Sequence, residues 1–215
     1  MPQLVTDALF VGLGYLSGSL PMGVLVARLT GARDPRTVGS GRTGGTNALR
    51  AMGARRAVLV AGLDVLKGAL PVALAILLGA SPMAVALTGV AAILGAWASV
   101  FLRFHGGRGL ATGIGATLVI QPLVVLLSAP FFFGTVWITK YVSLGSLVAS
   151  AAGAVFLAIF VFLGWNDPAY LVFAVLGAVV VWVAHHDNIQ RLMRGEERRF
   201  DMFARGEDRP TKSDG

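Results

Sequence analysis

The chain has no cysteine, which excludes a disulfide framework and any thiolate metal site. Its only histidines are His105, His185 and His186, which leaves little room for a metal centre. Charge is scarce as well. Charged residues make up 13% of the chain, against about 25% in a typical soluble domain. That is too little to cover a water-facing surface. What the chain does have is apolar length, with 55% hydrophobic residues and a mean hydropathy of +0.74. Acidic residues are the rarer sign, and the formal net charge is +7. The cations cluster between apolar runs, a pattern of basic loops at a membrane, and no nucleic-acid partner is expected.

Apolar segments run over about 5–29, 57–79, 84–102, 109–120, 123–139, 143–163 and 169–185. The first lacks Lys and Arg at its start and leads into a Pro/Gly motif, so it reads as a retained helix and not a cleaved signal. The fourth is short and ends at Gln121-Pro122, a turn signal. Loop 30–56 carries six arginines, loop 103–108 carries Arg103 and Arg108, Lys140 lies between segments five and six, and the stretch after 185 is basic. The other connections hold no Lys or Arg. Seven crossings with the N-terminus outside put every basic loop in the cytoplasm, whereas six would split them. The expected fold is therefore all-α and polytopic, with seven transmembrane helices and a cytoplasmic C-terminus. Residues 1–199 form one domain and 200–215 a polar tail. No internal repeat is visible.

Several polar stretches gather on that cytoplasmic side. Val38–Arg50 places Gly39, Gly41, Gly44 and Gly45 among Ser40, Thr46 and Asn47, so backbone N–H groups can approach an anion. Arg42 and Arg50 can add charge-assisted hydrogen bonds. Asp64 and Lys67 share a helix face about two turns inside the membrane, where charge usually faces a bundle interior. Around His105 and Arg108, glycines 106, 107 and 109 open a helix whose N-terminus favours phosphate. His185 and Asn188 leave the last segment as a polar helix end. The plainer readings are a flexible loop with lipid-binding arginines, a structural ion pair, a tight turn and an interfacial helix. Together, the stretches suit two anionic substrates or one with two phosphates.

From Gly14 to Glu197 the residues resemble the bacterial acyl-phosphate:glycerol-3-phosphate acyltransferases. The likeness runs through Gly18–Gly23, Val38–Gly41, Thr46–Arg50, the stretch 64–72, Phe104 with Gly106-Gly107, Gly109–Thr112, Lys140–Ser146, and His185 with Asn188-Ile189 and Arg191-Leu192. It implies a seven-helix enzyme of the bacterial inner membrane. Such an enzyme moves a fatty acyl group from acyl phosphate to the 1-hydroxyl of sn-glycerol 3-phosphate, giving lysophosphatidic acid and phosphate. It works without metal or cofactor, and a monomer among membrane lipids is expected. Carried over by position, Ser40, Arg50, Lys67 and Asn188 are the catalytic candidates. Gly39, Gly41, Arg42, Thr46, Asn47, Asp64, His105, Gly106, Gly107, Arg108, Gly109 and His185 are the candidates for binding substrate and phosphate.

The chain departs from the family pattern at three places. Arg42 stands where the family usually has Asn, Ala96 where it has His, and His105 and Arg108 where the second glycine turn has Lys. A diverged paralogue with another acceptor or a binding or regulatory role is the alternative these positions leave open. A small-anion transporter is a further one.

Overall fold

The computed structural model describes residues 3–200, so the expected tail beyond Phe200, including Arg205, Arg209 and Lys212, lies outside the described residues. The described residues are all helix, turn and loop. The helices are α1 (Gln3–Ser19), α2 (Met22–Leu29), α3 (Gly45–Met52), α4 (Ala54–Leu77), α5 (Pro82–Trp97), α6 (Leu110–Ile120), α7 (Pro122–Thr139), α8 (Val142–Phe162), α9 (Tyr170–Ala184) and α10 (His186–Met193). Four spans are long and apolar enough to cross a membrane: α4, α5 with the turn that follows it, α7 and α8. Counting the bent pairs α1–α2 (47°) and α9–α10 (60°) as one span each gives six. The apolar α6 has 11 residues, short of the roughly 20 that a bilayer core needs.

The outward faces explain the hydropathy. Ile138 is 80% exposed, Phe162 81% and Trp137 75%. Large apolar side chains at such exposure suit lipid and not water. Inside, the helices approach closely through small residues. A side chain on Gly14 or Gly18 of α1 would strike the Thr88 or Ala92 carbonyl of α5, and one on Gly95 would strike Tyr15 of α1. Gly68 and Gly115 meet the facing backbone between α4 and α6 in the same way. Without a hydrophobic drive between helices in lipid, such backbone approach is the main source of packing energy.

Pro21 ends α1 early, so the stretch expected as one segment over 5–29 is two helices. The carbonyls freed at this break find partners. Ser99 Oγ donates to the Ser19 carbonyl, and Lys67 Nζ donates to the Leu20 carbonyl at 3.0 Å. Pro71 in α4 has no N–H for the Lys67 carbonyl one turn back, and Ser17 Oγ donates to that carbonyl instead, at 2.8 Å. The bundle thus balances its backbone polar groups where α1 crosses α4.

One end of the bundle collects the basic loops. Arg42 reaches Asp187 at 3.0 Å, the Phe200 N–H donates to Lys140 O at 2.7 Å, and Gly107 lies against Thr43 and Gly44. The opposite end is tied by Ser81 Oγ donating to Asp7 at 2.6 Å and by Gln121 donating to Asn166 at 2.9 Å.

Candidate active site

Two turns build the floor of the basic end. The first carries Gly39 (φ +53°) and Gly41 (φ +68°) in the left-handed region, where glycine is unstrained. A side chain at Gly39 would also strike Asn47 Oδ1. Asn47 is buried and holds the turn together. Its Nδ2 donates to the carbonyls of Pro35 (2.6 Å), Val38 (3.1 Å) and Arg42 (2.8 Å), and its Oδ1 accepts from the Ser40 N–H (3.2 Å). Its amide is therefore used up within the protein. Gly44 then opens α3, leaving the N–H groups of the first helical turn, including Thr46, without intrahelical acceptors. Arg50 stands on α3 within charge range of Arg198 and Glu197.

In the second turn the N–H groups of Gly106 and Gly107 point inward. They donate to the Trp97 and Ala96 carbonyls, each at 2.8 Å, and fasten the turn to the end of α5. What the turn leaves for an anion is the start of α6, at Gly109 (φ +75°) and Leu110. His105 is exposed, with Nδ1 on the Arg103 carbonyl at 2.6 Å. Arg108 points into the site and its buried Nε has no partner among the described residues. Burial, and then repulsion from Arg42 and Arg191, pulls Arg108 down to about 10. A buried guanidinium crowded by two other cations, with no partner for its Nε among the described residues, suits an anion.

The third wall comes from α10 and the chain after it. Glu197 is almost fully covered, at 7% side-chain exposure. It accepts from Asn188 Nδ2 (2.6 Å), Ser143 Oγ (2.8 Å) and Arg191 Nε (2.9 Å). Burial pushes Glu197 up, but these hydrogen bonds outweigh it and hold the carboxyl below its usual range. Asn188 Oδ1 is buried and has no partner among the described residues. His185 gives Nδ1 to the Val181 carbonyl at 2.7 Å, so the neutral ring carries its proton there and Nε2 is left as an acceptor.

Lys67 and Asp64 lie next to the start of α6, where Gly68 packs on the Thr112 backbone. Lys67 Nζ lies 2.8 Å from Asp64 Oδ1 and 3.0 Å from the Leu20 carbonyl, at the α1–α2 break. The sequence reasoning did not single out Ser143, Arg191, Asp187 and Glu197 as site residues. Ser143 and Arg191 stood within matched motifs, but only the turn after α10 reveals that Glu197 comes back to join them.

The chain from residue 8 to residue 195 matches the family model for glycerol-3-phosphate acyltransferase. The protein belongs to that family. A glycerol-3-phosphate acyltransferase of Geobacter sulfurreducens is 41% identical over 199 residues, covering 92% of this chain and 99% of its own. Crystal structures of PlsY, an integral membrane glycerol 3-phosphate acyltransferase, are similar throughout. The glycerol 3-phosphate form gives a TM-score of 0.82 at 36% identity, with 91% of this chain and 96% of that one covered. The lysophosphatidic acid form gives 0.80 at 34% identity, with 91% and 95% covered. As a member of this acyltransferase family, the chain is a membrane enzyme of phospholipid synthesis.

Proposed function

We propose that this protein transfers a fatty acyl group from acyl phosphate to the 1-hydroxyl of sn-glycerol 3-phosphate, releasing lysophosphatidic acid and phosphate. It works as a monomer on the cytoplasmic face of a bacterial inner membrane. In this reading α6 completes seven crossings, the N-terminus lies outside, and residues 1–199 act as one domain with a cytoplasmic tail.

One observation carries the reading. The turn that opens α6 packs on Thr43 and Gly44 at the start of α3, Arg42 and Arg191 lie within charge range of Arg108, and Asn188 Oδ1 is buried without a partner among the described residues. Anionic groups fit the cations and helix N-termini, and a substrate hydroxyl fits the unpartnered acceptor. Ser40, Arg50 and Arg108 hold phosphate groups, and Asn188 with His185 orients the hydroxyl. The acceptor oxygen attacks the acyl carbonyl carbon, a new C–O ester bond forms, and the C–O bond to phosphate breaks. The hydroxyl proton passes to a phosphate oxygen of a bound substrate. Acyl phosphate is already activated, so positioning and charge stabilisation supply most of the acceleration. A Ser–His–Asp relay is not part of the scheme, because His185 Nδ1 faces a carbonyl and not a carboxylate.

The test mixes purified protein with palmitoyl phosphate and sn-glycerol 3-phosphate and follows phosphate and lysophosphatidic acid together. Both should appear in equal amounts, and Arg50→Ala should abolish them. A folded wild-type preparation that forms no lysophosphatidic acid overturns the reading. Phosphate flux into proteoliposomes without acyl transfer would favour a transporter.

A further inference from the structure

An ion pair at the basic end joins two elements that lie far apart in the chain. Arg42 Nη2 donates to Asp187 Oδ2 at 3.0 Å. Arg42 belongs to the first glycine turn, and its backbone is held on both sides. Its N–H donates to Ser40 Oγ at 3.4 Å, and its carbonyl accepts from the buried Asn47 at 2.8 Å. The side chain therefore leaves a fixed turn. Asp187 lies in the first turn of α10, directly before Asn188, where a carboxylate suits the helix dipole. Its other oxygen, Oδ1, is 2.7 Å from His186 Nε2. Both carboxylate oxygens are engaged, so the group that Arg42 meets is held from two sides.

A pair this exposed adds little to stability, so its place beside the site asks for another reason. A guanidinium has five N–H donors in a planar fork. Among the described residues the side chain of Arg42 makes its hydrogen bond through Nη2, leaving Nε and Nη1 for another acceptor. Its charge reaches Arg108 and His185, so the guanidinium stands near the wall that carries Asn188. The charges there do not balance. Arg191 is matched by Glu197 and Arg42 by Asp187, while the buried Nε of Arg108 has no partner among the described residues. A phosphate dianion brings the missing negative charge and three acceptor oxygens.

We propose that Arg42 is a further phosphate-binding residue, gripping the phosphate of the acyl acceptor together with Arg108, and that Asp187 is the positioning residue that holds Arg42 there. The proposal rests on the acyl-transfer reading above for the identity of the acceptor. Asp187 keeps one edge of the guanidinium, and the remaining N–H groups turn to phosphate oxygens. Asp187 and Asn188 are successive residues, so the turn of α10 that orients the acceptor hydroxyl also sets the arginine for the acceptor phosphate. In a three-carbon acceptor these two ends are a few bonds apart. Asparagine, the usual residue of the family at this place, is shorter and neutral and cannot supply the charge. The grip is thus a property of this chain.

The experiment has a turnover arm and a binding arm, both with the full-length protein in lipid nanodiscs. With palmitoyl phosphate saturating, Arg42→Asn should raise the KM for sn-glycerol 3-phosphate at least about tenfold, the size of one charge-assisted hydrogen bond, and change kcat far less. Arg42→Lys should recover part of the loss. Asp187→Asn should raise the same KM about threefold. It should add nothing in the Arg42→Asn background, because it acts through the arginine. Additive effects overturn the positioning role. The KM for palmitoyl phosphate should not move, and a rise there in place of the acceptor KM overturns the assignment to the acceptor. Arg56→Ala removes a cation at the start of α4, outside the site, and should change neither constant. An equal rise in that variant assigns the effect to the overall field and overturns the grip. Arg42→Gln serves if Arg42→Asn does not fold. In the binding arm, calorimetric titration with sn-glycerol 3-phosphate should show the same loss of affinity, with glycerol failing to compete. Unchanged acceptor KM and affinity in a folded Arg42 variant sink the grip and leave acyl transfer standing. Arg42-dependent binding in a protein that forms no lysophosphatidic acid does the reverse.

Discussion

Asn188 donates its Nδ2 to Glu197 at 2.6 Å and leaves its own Oδ1 buried without a partner among the described residues. An ionised carboxylate can only accept, so this contact fixes which way the amide faces. The oxygen is thereby kept on the side away from the carboxylate, free to accept. Glutamine at 197 has a donor as well as an acceptor and lets the amide flip. Glu197→Gln should lower kcat/KM by about ten- to a hundredfold, in line with about 1.5–3 kcal/mol for a hydrogen bond to a charged group. Steady-state kinetics of a variant with a normal melting profile would check it. Activity within twofold of wild type would refute the orienting role.

The same carboxylate gives the enzyme an acid limit. Its folded value lies below the one it has in the unfolded chain. The stability it contributes is therefore complete above the unfolded value and is lost as pH falls through the folded one. Thermal stability should hold level from neutral pH to about 5 and decline below about 4. In Glu197→Gln that decline should flatten. An acid limb that is the same in both proteins would assign the loss to another carboxylate.

Lys67 and Asp64 form a buried pair, 6% and 7% exposed. Removing one member leaves an uncompensated charge, which typically costs about 3–5 kcal/mol, whereas replacing both with apolar residues often costs far less. Lys67→Met and Asp64→Leu should each lower the melting temperature more than the double variant does. Lys67→Met also strips the donor from the Leu20 carbonyl, so some loss should persist in the double. Full additivity of the two single losses would exclude the pairing.

Glycines predict opposite outcomes at two sites on the bundle. Gly18 faces the Ala92 backbone, whereas a side chain at Gly62 meets nothing within 4 Å. Gly18→Val should separate α1 from α5 and prevent stable folding or cost at least about 1–3 kcal/mol. Gly62→Ala should be neutral or should stabilise α4 by up to about 1 kcal/mol. Thermal melts in one detergent would rank the two, and equal losses would count against the close-packed α1–α5 seam.

Arg42 and Asp187 are partly exposed, 20% and 37% by side chain. An exposed pair of this kind is worth about 0–1 kcal/mol. A double-mutant cycle with Arg42→Ala and Asp187→Ala should return a coupling in that range, shrinking with added salt. A larger, salt-insensitive coupling would mean that the pair is a closed strap over the site.

The long helices were legible because apolar runs in lipid leave little choice: 123–139 became Pro122–Thr139 and 143–163 became Val142–Phe162. The break at Pro21 was written in the residue itself but masked by apolar sequence on both sides. The short α3 was hidden in a loop, since only Ala48 and Met52 among its residues are buried apolar anchors. Within the site, composition pointed correctly to where polar groups gather but could not say where each one points. Gly106 and Gly107 look like anion donors until the carbonyls of Ala96 and Trp97 claim their N–H groups. Asn47 looks like a ligand until its bonds are traced to neighbouring carbonyls. Such assignments depend on partners outside each motif, and the motif alone does not encode them.

The wall built by Glu197 has a consequence for how the enzyme comes into being. Ser143, Asn188 and Arg191 have their shared acceptor only once residue 197 has folded back beside α8. Synthesis runs from the N-terminus, so nearly all of the bundle can be inserted while this wall is still missing. A nascent chain that stalls after α9 would sit in the membrane as an inert scaffold. Activity thus arrives in one late step, when the bundle has already settled among its lipids.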